Sequence, residues 1–166
     1  MQIAIERPEL VGKLILGSTA ARVTEGQFQH IEQWIAFAQE GRAEDLYLAF
    51  GELVYPQDVF EQSRSVLVEA AKTVTEEDLS RFSILAESIR GFDVTKDLGM
   101  IDCSVLIIGD RDDRLLGANA SEQIAELLDG KPGFELYLYD GYGHAAYDTA
   151  PDYRERMLRF LTAEEL

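Results

Sequence analysis

Two turns in the sequence carry side chains that could act together in proton transfer. One follows an unbroken apolar run at 105–108, which is typical of a buried parallel strand; we expect Gly109 to end this strand, and the turn Asp-Arg-Asp-Asp follows at 110–113. The other turn follows a second apolar run at 134–139 and ends in His144. Functional groups of open α/β sheets lie just past the carboxyl ends of the strands, and neighbouring strands lie about 4.8 Å apart. A carboxylate–imidazole hydrogen bond between the two turns is therefore sterically easy.

A carboxylate paired with a histidine suits general acid–base catalysis, because imidazole exchanges protons near neutral pH. His144 is one of only two histidines and lies in a Gly-x-Gly-His turn after a predicted strand. The other, His30, falls in a helical stretch and is interpreted as a surface or groove residue. No set of His, Cys, Asp and Glu has metal-site spacing, and no glycine-rich phosphate loop is present, so we expect neither a metal nor a cofactor.

The order strand, G-x-x-D, helix, strand, G-x-G-H, helix resembles the C-terminal part of an α/β-hydrolase. Residues 1–22, which include IAIERPELVGKLILGSTAAR, resemble the end of the helix after that family's nucleophile elbow and its sixth strand. The resemblance covers 1–22 and about 98–163. It implies that Asp112 is the triad acid that orients His144, with Asp113 as the alternative acid.

The family's serine nucleophile lies in G-x-S-x-G on a strand-to-helix turn, ahead of the acid and the histidine. The sequence contains no G-x-S-x-G, and Ser18 in LGSTA does not lie on a junction of that kind. The resemblance therefore implies the C-terminal segment of a cap-bearing, serine-type hydrolase of esters, amides or related bonds, and we expect this chain alone to be inactive. The alternative is a non-catalytic oligomeric or small-ligand-binding module derived from that fold.

The predicted fold is α/β, with a three-stranded parallel sheet and flanking helices. This core is assigned to 1–22 and 98–166, and an all-helical insertion occupies 23–97. The first strand is predicted at 10–17, and Thr24 begins the first inserted helix through a capping box with the residue three positions on. In the family, a helical insertion at this place forms the cap that selects the substrate.

Charge and cysteine content limit the possible partners and compartments. The formal net charge is −16 at pH 7, which argues against nucleic acid or an anionic membrane as a partner. The single cysteine, Cys103, permits no disulfide within the chain and fits a reducing compartment. The start of the sequence lacks a signal-peptide pattern, so we expect a cytoplasmic protein.

The first predicted strand also suggests how the chain assembles. In the family this strand has a neighbour on each side, and the resemblance implies that residues 13–17 lose one of them here. An apolar edge strand presents unpaired backbone groups and invites another strand. We therefore expect a homodimer through strand 13–17 and the cap helices, and a small-molecule substrate if a nucleophile half completes the site.

Overall fold

A computed structural model, which describes residues 1–163, divides the chain into two compact units. One unit combines Met1–Arg22 with Asp93–Leu166, and the other is Val23–Phe92. The chain leaves and re-enters the first unit side by side, through an antiparallel bridge between Arg22 and Asp93. A hydrogen bond of 2.9 Å from the Val94 amide to the Ala21 carbonyl holds the same junction.

The described residues form three strands and eight α-helices, with short 3-10 helices at Pro8–Leu10 and Leu98–Met100. In chain order the elements are α1 (Gln2–Glu6), β1 (Lys13–Gly17), α2 (Glu25–Gln39), α3 (Ala43–Val54), α4 (Gln57–Ala71), α5 (Glu76–Ser88), β2 (Ser104–Asp110), α6 (Ala120–Leu127), β3 (Phe134–Tyr139), α7 (Ala146–Thr149) and α8 (Tyr153–Thr162). The predicted α/β fold is confirmed. Strand β1 begins three residues later than predicted, because Pro8 starts a 3-10 helix that takes up Leu10.

The sheet of the first unit is parallel throughout and has the order β1-β2-β3. Its central strand β2 is buried from Val105 to Asp110, which explains the unbroken apolar run in the sequence. Alternate side chains of β2 face opposite sides. Leu106 and Ile108 pack in a cluster with Tyr153 and Phe160 of α8, and α6 also packs against β2.

Strand β2 does not end at Gly109, as the sequence suggested, but continues to Asp110. Asp110 is in register with Tyr139, the last residue of β3, and the Arg111 amide donates to the Tyr139 carbonyl at 3.0 Å. A Cβ at Gly109 would collide with the side chain of Ser121 in α6. Glycine is therefore needed here for close helix packing inside a strand, and not for a turn.

The second unit consists of α2–α5. Helices α2 and α5 pack together, as do α3 and α4, and Trp34 and Phe50 lie with their ring centroids 5.2 Å apart. Capping boxes begin both α2, at Thr24, and α5, at Thr75. Across residues 1–163, no helix combines the length and the apolar character needed to cross a lipid bilayer.

Candidate functional site

The two predicted turns meet at the carboxyl edge of the sheet. His144 Nδ1 lies 2.9 Å from Asp113 Oδ2. The side chains are 17% and 6% exposed, respectively, so the contact is largely shielded from water. A carboxylate at this distance accepts the Nδ1 proton and keeps the imidazole in one orientation, which leaves Nε2 as the nitrogen that can exchange a proton.

Asp113 is held firmly by its own turn. Its second oxygen, Oδ1, accepts hydrogen bonds from the amides of Leu115 and Leu116, both at 2.9 Å. The Gly117 amide also donates to the Asp113 carbonyl, at 3.2 Å. With Oδ1 occupied by the backbone, Oδ2 is directed to His144. The carboxylate therefore acts as a fixed acceptor for the imidazole.

The predicted hydrogen bond between Asp112 and His144 is wrong. Asp112 is exposed, and its Oδ2 accepts instead from the Gly141 amide at 2.7 Å. The prediction rested on the match to the G-x-x-D pattern, which places the acid three residues after Gly109. In the structure the amides of Leu115 and Leu116 bind Asp113 Oδ1, and Asp113 Oδ2 faces the imidazole.

Asp110, which the sequence analysis places in the first turn without a role of its own, connects both turns. It is 3% exposed, and its two carboxylate oxygens accept from the amides of Asp112 (2.7 Å) and Tyr142 (2.9 Å). An aspartate that caps its own turn is common. No signal in the sequence shows that the same carboxylate also reaches the turn after the neighbouring strand.

The turn that carries His144 depends on glycine and on α7. Gly141 and Gly143 have φ angles of +86° and +69°, a region that strongly favours glycine. The Thr149 hydroxyl of α7 donates to the carbonyls of Tyr142 (3.2 Å) and Ala145 (3.1 Å). These contacts fix the backbone on both sides of His144.

An exposed ion pair links the outer parts of the two turns. Arg111 Nη1 lies 3.0 Å and 3.1 Å from the carboxylate oxygens of Asp140. The hydrogen bond to Asp140 raises the pKa of the Arg111 guanidinium above its ordinary value. Exposed pairs of this kind add little to stability, so its contribution to the site is small.

Two nucleophilic side chains of the first unit show no sign of activation. Cys103 is half-buried, and burial raises the pKa of its thiol, which favours the unreactive protonated form. Ser18 directly follows β1, with a φ of +45° and a buried hydroxyl without a hydrogen-bond partner. A serine nucleophile needs an adjacent base, which this hydroxyl does not have.

Within residues 1–163, no group of three or more His, Cys, Asp or Glu side chains is arranged to hold a metal ion.

Comparisons with known proteins agree on the fold. No family model matches the sequence. A protein from Rhizobium rhizogenes named "Putative carbamate hydrolase RutD" is 26% identical over 166 residues, which cover 98% of this chain and 62% of the relative. The chain thus spans less than two thirds of the length of that curated relative.

Solved structures give the same result. MGS-M2, an α/β hydrolase enzyme from a Medee basin deep-sea metagenome library, matches with a TM-score of 0.86 at 22% identity, over 99% of this chain and 61% of that one. The enol-lactonase from Burkholderia xenovorans LB400 matches with a TM-score of 0.79 at 17% identity, over 97% and 60%. The chain therefore has part of the α/β-hydrolase fold, and the resemblance seen in the sequence is confirmed at the level of fold.

Proposed function

We propose that this chain supplies the acid and the histidine of a serine-type α/β-hydrolase, with Asp113 as the acid and His144 as the base. The observation that carries the proposal is the 2.9 Å contact between these two side chains at the carboxyl edge of an α/β-hydrolase sheet. We assign the acid to Asp113 and not to Asp112, because Asp113 is the residue that is hydrogen-bonded to His144. The assignment of His144 is the one made from the sequence.

In this mechanism His144 exchanges the proton and Asp113 does not. Nε2 takes the proton of a serine hydroxyl as the serine attacks the carbonyl carbon, and later gives it to the leaving group. Asp113 holds the Nδ1–H tautomer and stabilises the imidazolium while it exists. The low exposure of both side chains strengthens this electrostatic interaction relative to water.

The nucleophile is proposed to come from polypeptide outside these 166 residues. The sequence has no G-x-S-x-G motif, and the acid–histidine pair needs a group to activate. The relatives support this proposal, because about two fifths of their length has no counterpart in this chain. A non-catalytic binding module is the competing proposal, and it predicts that no added segment restores activity.

The proposed reaction is hydrolysis of an ester, an amide or a related acyl bond. The name of the RutD relative adds carbamates to this group, since a carbamate carbonyl is open to the same attack. We propose that the helical unit Val23–Phe92 is the cap that selects the substrate, as the sequence resemblance implied.

Two assays test the function. The purified chain should hydrolyse p-nitrophenyl acetate no faster than its His144→Ala variant, and no serine should be labelled by a fluorophosphonate. The chain should gain esterase activity when a segment with a G-x-S-x-G strand–helix turn from an α/β-hydrolase is fused ahead of it or supplied with it.

In the completed enzyme, His144→Ala and Asp113→Asn should each lower kcat/KM by at least about a thousandfold, because triad members act as a unit. Asp140→Asn, which removes a charge from the same turn without touching the pair, is the matched control. Fluorophosphonate labelling of the chain alone would contradict the proposed external nucleophile. Full activity of the completed enzyme without His144 would contradict the proposed base.

A further inference from the structure

The backbone beyond the end of β3 is held by side chains of the neighbouring turn. The β2–β3 ladder ends where the Arg111 amide donates to the Tyr139 carbonyl. Past this point the amides of Gly141 and Tyr142 have no strand to pair with. The Gly141 amide donates to Asp112 Oδ2 at 2.7 Å, and the Tyr142 amide donates to Asp110 Oδ2 at 2.9 Å.

We propose that Asp110 and Asp112 are positioning residues that set the distance between His144 and Asp113 by holding the main chain of the histidine turn. Of the carboxylates at 110, 112 and 113, two bind backbone amides of the histidine turn and one binds the imidazole itself. The held amides lie two and three residues before His144, so movement there is passed directly to the imidazole. The catalytic purpose of this positioning rests on the proposed function. The positioning itself does not.

The two positions differ in how strictly they require a carboxylate. Asp110 accepts an N–H group at each oxygen and is buried, so both of its oxygens must be acceptors. In Asp110→Asn, the side-chain NH2 would face one of these backbone N–H groups, and two donors would be left opposed. Asp112 binds Gly141 through one oxygen and is exposed, so the amide oxygen of Asp112→Asn can replace it.

Nuclear magnetic resonance of the 166-residue chain tests the inference without any enzymatic activity. The Nδ1 proton of His144, bound to Asp113, should give a low-field resonance that is absent from His144→Ala. Asp110→Asn should broaden or abolish this resonance and raise the exchange rate of the Tyr142 amide by about tenfold or more, the range expected for loss of a hydrogen bond to a charged group. A change in the His144 Nδ1 proton resonance of a folded variant indicates a positioning role, which a simple loss of stability would not produce.

Asp140→Asn is the matched control, because it neutralises a carboxylate of the same turn that binds Arg111 and no backbone amide. The inference is overturned if Asp110→Asn and Asp140→Asn give the same His144 resonance and the same Tyr142 exchange rate.

If Asp110→Asn does not fold, two variants of Asp112 test the inference instead. Asp112→Ala should raise the exchange rate of the Gly141 amide about tenfold and weaken the His144 resonance, whereas Asp112→Asn should stay near the parent chain. Equal behaviour of these two variants would overturn the inference. Neither result depends on a nucleophile, so failure here is distinct from failure of the proposed hydrolysis.

Discussion

Tyr139 donates a hydrogen bond of 2.7 Å to Asp152, which joins the last residue of β3 to the residue just before α8. Arg156, one turn into α8, donates from Nε to the same hydroxyl at 3.2 Å and pairs with Asp152 at 2.7 Å. The guanidinium also lies over the ring of Tyr137, 3.3 Å from its centroid. This group fixes α8 against the strand that leads to His144.

Replacing Tyr139 with phenylalanine should destabilise the chain by about 1–2 kcal/mol, since a hydroxyl bonded to a charged partner is lost from a buried site. Urea unfolding followed by circular dichroism measures the change. Tyr137→Phe is the control, because Arg156 contacts the ring at that position and the ring is kept. Equal stabilities of the two variants would contradict the role given to the Tyr139 hydroxyl.

The same tyrosine should make stability fall at high pH. Burial, together with the hydrogen bond to Asp152, raises the pKa of Tyr139 from 10.0 to about 12. Between these values the unfolded chain loses a proton that the folded chain keeps, so stability is complete below about pH 10 and is lost as the pH rises towards 12. Urea midpoints from pH 8 to 11.5 should fall less in Tyr139→Phe than in the parent, and parallel curves would disprove the linkage.

Gly109→Ala should destabilise the chain by about 1–3 kcal/mol, because the added Cβ enters the space of Ser121 in a close-packed layer. Ser121→Gly in the same chain should recover part of this loss. Gly99→Ala is the control, since a Cβ there meets no atom within 4 Å. Thermal unfolding of the three variants checks the prediction, which fails if Gly109→Ala is as stable as Gly99→Ala.

The expected homodimer stays a prediction, and the register of β1 sharpens its test. The Ser18 amide donates to the Ile108 carbonyl, so the backbone N–H and C=O groups of residues 14, 16 and 18 point towards β2. Those of Ile15 point away from β2. Ile15→Pro should therefore remove an outward N–H group while the β1–β2 ladder is kept. Light scattering should show a dimer for the parent and a monomer for Ile15→Pro; a monomeric parent would refute pairing through this edge.

Ile15→Val keeps the outward N–H group and should remain dimeric in the same measurement. If Ile15→Pro is folded by circular dichroism and still dimeric, helices α2–α5 become the better candidate for the contact.

The strands and the two turns could be predicted from the sequence because their signals are local. The run at 105–108 is apolar at every position, and such a run in an α/β chain is typical of a central parallel strand. His144 could be found because it follows the next such run. In both cases a short run of neighbouring residues is enough to specify the strand and the turn that follows it.

The carboxylate that pairs with His144 could not be predicted, because the pairing is a contact between residues that are distant in sequence. The G-x-x-D match counts residues from Gly109 and contains no information on which carboxylate the fold turns towards the imidazole. In the structure Asp112 binds the Gly141 amide, and Asp113 lies opposite His144. Asp110 was missed for a similar reason, since its partner Tyr142 lies 32 positions away.

Because Arg22 and Asp93 lie side by side, the helical unit Val23–Phe92 can be deleted and the two ends of the chain joined. The two residues face each other in an antiparallel bridge, and the Val23 amide donates to the Phe92 carbonyl at 2.8 Å just beyond it. Two antiparallel chains in such contact can be joined by a two-residue Asn-Gly turn. Residues 23–92 could thus be replaced by a short loop, so the sheet with its Asp113–His144 pair could be prepared and measured without the helical unit.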